Sequence, residues 1–299
     1  MMQNLHVGIK GRYRLEVRSS EEADPRQVLE FDNLITDAGL DFFGTLQSFQ
    51  LYPGLGTGTS TPLPSDSSLT NQSSRITGTQ TLTKTAAQTP PYKLTAVISR
   101  QSTQGQVAGT WTEIGMFRST SPSANDMFSR ALITDEFGNP TAITILPTEY
   151  LTVVYTLEYI IPPVDAVTVV GGRTFTTRAL DVLSTNWLSE FNGSLYGFNQ
   201  STLMAYSGPM VPMTSSSISG SLGNSIQSPV ASYVPGSFEI ITSPTLDLTR
   251  GNGTIQTLRF AASSRGSGTT FQVGIDPPIV KDNTQLLTFQ FKLSWGRAI

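Results

Sequence analysis

The sequence predicts a mainly β protein made of two tandem antiparallel β-sandwich domains, each with one short helix. Three observations predict it. In Leu151-Thr-Val-Val-Tyr-Thr-Leu-Glu-Tyr159, residues 151, 153, 155, 157 and 159 are apolar or aromatic and fall on one face, and Pro162-Pro163 ends the run. A period of two in a Val-, Thr- and Tyr-rich run is a strand with one buried face. Charged residues make up only 14% of the chain and hydrophobic ones 38%, with Ser, Thr and Gly filling much of the remainder. That balance suits short strands joined by polar turns and argues against a disordered polyelectrolyte. Finally, 299 residues exceed one ordinary core, so the chain divides into residues 1–163 and 164–299.

Taken in order, Gly11-Arg-Tyr-Arg-Leu-Glu-Val-Arg18 alternates, turns at Ser19 to Pro25 and returns as Arg26 to Phe31, an opening hairpin. Arg12, Arg14 and Arg18 then lie on its solvated face. In Asn33 to Gly44 the spacing of Leu34, Ile35, Leu40, Phe42 and Phe43 predicts a helix of about two to three turns. Asn33 or Thr36 would cap it and Gly44 would stop it. Tyr52 to Thr70 reads as a turn-rich segment. Thr79–Lys84 and Tyr92–Arg100 follow as strands around a Thr89-Pro-Pro91 turn. Trp111–Arg118, Met127–Ile133, Thr141–Pro147 and Leu151–Pro163 complete a sandwich of roughly seven or eight strands.

The second half reads as a repeat of the first. Thr288–Trp295 aligns without gaps on Thr152–Tyr159, placing Phe289, Phe291, Leu293 and Trp295 on Val153, Tyr155, Leu157 and Tyr159. Asp181 to Gly193 resembles the helix near Leu40 and Phe43. Ser207 to Ser237 is rich in Ser, Gly and Pro, and reads as a long surface excursion.

Residues that carry catalytic or metal chemistry are sparse. No cysteine is present, which removes disulfides, thiolate nucleophiles and thiolate metal sites. The single histidine, His6, falls in what reads as an N-terminal tail, so neither a Ser–His triad nor a histidine-rich metal site can be built. Gly54, Gly56 and Gly58 suggest a phosphate loop, but Pro62 and Pro64 follow where a Lys and a helix are needed. Glu21, Glu22 and Asp24 read as exposed charge on a hairpin tip. Asp135 to Asn139 is too short for a calcium loop and reads as a turn. No catalytic, cofactor-binding or metal residue is assigned. A formal net charge of −3 gives no footprint for nucleic acid. The longest apolar run is too short to span a membrane and carries Glu158, and the N-terminus lacks the apolar core of a signal peptide. Four glycosylation sequons, at Asn71, Asn192, Asn199 and Asn252, are chance matches in a Ser/Thr-rich chain without a secretory signal.

The N-terminal half resembles structural proteins of tailed bacteriophage virions, of the tail-fibre, baseplate and collar type. The likeness rests on Gly11–Arg18, on Phe31-Asp-Asn-Leu-Ile-Thr-Asp-Ala-Gly-Leu-Asp41 and on Leu55-Gly-Thr-Gly-Thr59 with Pro64-Ser-Asp66. It continues through Phe128-Ser-Arg-Ala-Leu132 and Leu151-Thr-Val-Val-Tyr155, and weakly to Leu293-Ser-Trp-Gly-Arg297. The resemblance implies a non-enzymatic scaffold of the virion, assembled in the bacterial cytoplasm as a ring or trimer with other virion proteins. In such an assembly neighbouring subunits cover strand edges and exposed apolar residues. Tyr52, Phe117, Tyr196 and Phe198 are candidates for those contacts, with the core as the competing place for each. The alternative is a host-receptor or carbohydrate-binding adhesin that stacks a surface glycan on Trp187 or Tyr196. A polysaccharide hydrolase ranks third.

Overall fold

A computed structural model describes residues 2–45, 47–48, 50–121, 126–163, 165–185, 195–196, 200–229, 232–262 and 269–298. The first half supplies β1 (Met2–Arg18), β2 (Gln27–Asp32), β3 (Leu34–Ile35), α1 (Asp37–Asp41), β4 (Gln47–Ser48) and β5 (Tyr52–Gly56). It continues with β6 (Thr81–Ala86), β7 (Lys93–Gln101), β8 (Gly109–Trp111), β9 (Glu113–Phe117), β10 (Met127–Leu132), β11 (Ile143–Ile145) and β12 (Tyr150–Ile160). The second half supplies β13 (Ala166–Val170), β14 (Arg173–Ala179), β15 (Leu195–Tyr196), β16 (Gln200–Tyr206), β17 (Ile226–Pro229), β18 (Glu239–Thr242) and β19 (Thr245–Leu246). The last four strands are β20 (Gly253–Ala262), β21 (Thr269–Lys281), β22 (Leu287–Thr288) and β23 (Gln290–Arg297). The protein is mainly β with one short helix, and its sheets are largely antiparallel.

β1 is the spine. Its 17 residues reach roughly 55 Å at the usual rise of an extended strand. Residues 2–10, expected to be a tail, form the first half of this strand. The cause is alternation: Leu5, Val7, Ile9, Tyr13, Leu15 and Val17 are all buried on one face. One edge of β1 pairs with β12, Gly8 to Arg18 against Ile160 to Tyr150. The other edge is shared. β2 pairs antiparallel with Arg12 to Val17, as the opening hairpin requires, and β23 pairs parallel with Met2 to Ile9. The parallel pairing is open to strands so far apart in sequence, because no short turn dictates their direction. A seven-stranded sheet results, in the order β18-β23-β1-β12-β7-β6 with β2 beside β1.

Two smaller sheets cover the inner face of this large one. The sheet β3-β10-β9-β5 lies over the β1–β12 end, where Phe128 of β10 meets Tyr155 of β12 edge-on at 6.1 Å. The six-stranded sheet β13-β14-β21-β20-β16-β17 lies over the β23 end, where Phe260 of β20 stacks on Phe291 of β23 at 4.4 Å. The chain leaves the large sheet after β12 and returns to it with β18 and β23. One continuous apolar core therefore runs through both halves. β12 and β23, alike in sequence, flank β1 in one sheet. Sharing that environment accounts for their common alternation.

α1 is shorter than its spacing predicts: five residues, followed by one 3-10 turn at Phe42–Gly44. Thr36 caps it, accepting the Gly39 N–H at 3.0 Å. Phe42 and Phe43 are both fully buried, and the tightened turn lets consecutive rings enter the core. Packing rather than helix propensity holds so short an element. Gly44 then leaves room for the ring of Tyr233, which a Cβ would meet within 2.5 Å. The second expected helix begins in a turn at Asp181–Thr185, and its remainder lies outside the described residues.

Tyr52–Gly56, expected as loop, is a strand against β9, with Leu51 and Leu55 fully buried. Ser207 to Ser237 is less free than its composition suggests. Ile218 and Ile226 are buried, Thr257 Oγ1 donates to the Gly208 carbonyl at 2.8 Å, and Gln272 bonds both backbone groups of Val211. The Ser207 to Ser215 stretch thereby straps the outer face of β20 and β21.

Candidate interaction surface

The glycine loop shows how this chain uses charge. Glu113 on β9 is fully buried, and its Oε1 accepts the N–H groups of Gly58 and Thr70 at 2.8 and 2.7 Å. Its Oε2 accepts Arg130 Nε at 2.8 Å. Arg130 also donates to Asp66 at 2.6 Å and to the Ser60 carbonyl at 3.1 Å. Backbone N–H groups that would cradle a phosphate thus hold an internal carboxylate. Gly58 and Gly56 are required here because a Cβ at either would strike Glu113 Oε1 at 2.5 Å.

Two further buried cations work in the same way. Arg100 donates to the Leu51 carbonyl at 2.6 Å, bonds the Gly78 carbonyl and lies over the Tyr52 ring. Arg75 donates to Asp126 at 2.8 Å and lies 3.8 Å above the Phe117 ring. Burial lowers the pKa of both guanidinium groups from the ordinary value, with the Asp126 charge opposing that for Arg75. Among the proposed contact residues, Phe117 is therefore core and Tyr52 is a platform for Arg100. Trp187, Phe198 and the side chain of Tyr196 lie outside the described residues.

His6 sits on β1, not on a tail, with Nδ1 3.0 Å from Ser294 Oγ of β23; partial burial lowers its pKa. Glu21, Glu22 and Asp24 are all exposed on the β1–β2 turn, as expected. Asp135 closes a tight turn: it accepts the N–H groups of Phe137 and Asn139, each at 2.9 Å, and these bonds to the charged form lower its pKa. That turn carries Phe137 at 80% exposure. Among the described residues no group of three or more His, Asp and Glu could hold a metal ion, and no helix is long and apolar enough to cross a membrane.

Three surfaces remain. The outer face of the large sheet is a charged ladder: Lys10–Asp32, Arg12–Glu30, Arg14–Glu30 and Lys93–Glu158 are ion pairs, and with Thr156 these residues line a groove of about 320 Å³. Arg12 and Arg14 lie on the solvated face that their alternation predicts. The second surface is the Phe137 tip. The third is β13, an edge strand with Val167 and Val169 exposed on one side and Val170 on the other. Sequence patterning draws little notice to it, because an alternating Val/Thr run reads as half-buried strand. Its lack of any charge is the signal that could have marked it.

No protein-family model, no curated protein and no solved structure matches the chain.

Proposed function

We propose that this chain is a non-enzymatic structural component of a tailed bacteriophage virion, a tail, baseplate, collar or fibre-anchoring subunit acting through protein–protein contacts. It would assemble in the bacterial cytoplasm and act as a homo-oligomer bound to other virion proteins. The observation that carries the reading is how charge is distributed. Glu113, Arg130, Arg100 and Arg75, the most buried charged side chains of the first half, pin loops to sheets, and the cations Lys10, Arg12, Arg14 and Lys93 of the outer face are each matched by a carboxylate. Such a chain offers sheet faces and edges to neighbours. The sequence resemblance supplies the virion context.

Immunogold labelling of particles of the encoding phage tests it. Label at the neck, baseplate or fibres is expected; protein confined to the infected-cell lysate would sink the reading. The second reading, a glycan-binding adhesin, is favoured by the groove beside Lys93 and Glu158, whose donors and acceptors suit hydroxyl groups. It predicts saturable binding of host polysaccharide that Glu158→Ala abolishes.

A further inference from the structure

Strand edges expose unpaired N–H and C=O groups, and folded proteins guard them with charge, proline or cover. Four outer edges of the two large sheets follow this rule: β2 carries Glu30 and Asp32, β6 carries Lys84, β18 carries Glu239 and β17 ends in Pro229. The fifth does not. β13 reads Ala166-Val-Thr-Val-Val170, has β14 as its ladder partner among the described residues, and leaves Val167 61% and Val169 68% exposed.

The phase of its hydrogen bonds is set by the turn. Gly171 and Gly172 both have positive φ, 58° and 75°, the geometry of a tight two-residue hairpin turn that only glycine-like residues adopt readily. Val170 and Arg173 flank that turn and pair with each other. The alternation of an antiparallel ladder then turns the backbone groups of Thr168 and Ala166 toward β14, and those of Val167 and Val169 outward. A second β13 laid antiparallel about a two-fold axis at Thr168 sets Val167 against Val169 of the other copy, twice. Each is the hydrogen-bonded type of pair, so the outward groups of both strands are satisfied in one register. The side-chain pairs are Val with Val and Thr with Thr, which favour association across strands. No charge opposes its like, since Asp165 beside the strand is already paired with Arg178 at 2.6 Å.

We propose that two copies of this chain pair through β13 across a two-fold axis, fusing their six-stranded sheets into one. The pairing rests on the assembly reading for its biological setting and names one contact within it. Five residues cover less than the roughly 800 Å² per partner of a stable interface, so the pair forms at the high local concentration of an assembly and depends on concentration in solution. The contact is self-complementary and closes at two copies.

Sedimentation velocity of the full chain over a rising concentration series tests it, with Val169→Lys and Val169→Pro as variants. Proline at 169 removes an N–H that β14 does not use, so the hairpin keeps its own ladder. The expected result is a shift from one to two chain masses for the native protein, and at least tenfold weaker association for both variants. A native chain that stays monomeric, or a dimer that survives Val169→Pro, overturns the proposal. Because the readout is association in solution, a monomer found on labelled particles would defeat the pairing alone, and a dimer absent from particles would defeat the virion reading alone.

Discussion

Two regions of the molecule do the same job with different chemistry. Over the β3-β10-β9-β5 sheet, the 57–70 loop is held by Glu113 and Arg130, a carboxylate and a guanidinium removed almost wholly from water. Over the β20–β21 face, the Ser207 to Ser215 strap is held by Gln272, whose amide donates to the Val211 carbonyl at 2.7 Å and accepts its N–H at 2.9 Å. A neutral amide paired on both sides costs little to bury. An ion does not, and it is tolerated only while every partner is present. The ionic clamp is therefore the more brittle of the two, although it makes more bonds.

The largest expected effect follows from that difference. Glu113→Ala leaves Arg130 with Asp66 as its remaining ionic partner and frees two loop N–H groups; it should cost about 3–5 kcal/mol, read as the shift in urea midpoint. Glu113→Gln should recover part of this, because it keeps an acceptor for the loop while losing the charge. A loss below about 1 kcal/mol for the alanine variant would mean that water takes over the clamp and that the contrast is empty. Gln272→Ala is the matched substitution in the other region. It orphans one donor and one acceptor of Val211, so about 1–3 kcal/mol is expected. An effect equal to that of Glu113→Ala would erase the distinction between ionic and neutral clamps.

Legibility in the sequence follows the same divide. Alternation placed Leu151, Val153, Tyr155, Leu157 and Tyr159 correctly in the core, and Phe289, Phe291, Leu293 and Trp295 likewise, because a strand with one buried face has only one pattern to write. The cap was legible as one of two residues, Asn33 or Thr36, for an equally local reason, and Thr36 is the one that forms it. What was not legible depends on partners distant in sequence. Leu5-His-Val-Gly-Ile9 alternates too, but its buried face exists only because β23 arrives beside it from the other end of the chain. The burial of Arg75, Arg100 and Arg130 reverses the usual expectation for arginine, and the acceptors that permit it are mostly loop carbonyls and carboxylates 20 to 70 positions away. Nothing near Gly56 and Gly58 in the sequence names Glu113, whose carboxylate accepts the Gly58 N–H and lies where a Cβ on either glycine would fall.

A third clamp is only partly buried, and its effect is smaller. Arg26 on the β1–β2 turn donates through Nη2 to Glu149 at 2.8 Å, and that bond holds the carboxyl below its ordinary pKa. A carboxylate depressed in the folded state adds stability that is present above the unfolded value and lost as pH falls through the folded one. The native protein should therefore lose stability below about pH 4.5 more steeply than Glu149→Gln does. Because Arg26 is well exposed, solvent screening limits the difference to about 1 kcal/mol or less. Parallel acid-denaturation curves would remove Arg26–Glu149 from the set of clamps.

The smallest effect is expected at the edge that carries no clamp at all. Val169 faces water on a strand whose ladder bonds to β14 run through its neighbours, so Val169→Lys should shift the unfolding midpoint of dilute, monomeric protein by no more than about 0.5 kcal/mol. The same lysine at Val273, buried two ladder positions from the Phe271–Phe260 pair and on the same face, should prevent folding, since it places an unpaired charge in the apolar core. β13 and β21 belong to one sheet, and β13 is the richer of the two in Val and Thr although β21 is the one that carries the core. If lysine at 169 proved as damaging as at 273, β13 would be a core strand in solution. Its exposed valines would then be covered within the chain itself, leaving no free edge for a neighbour.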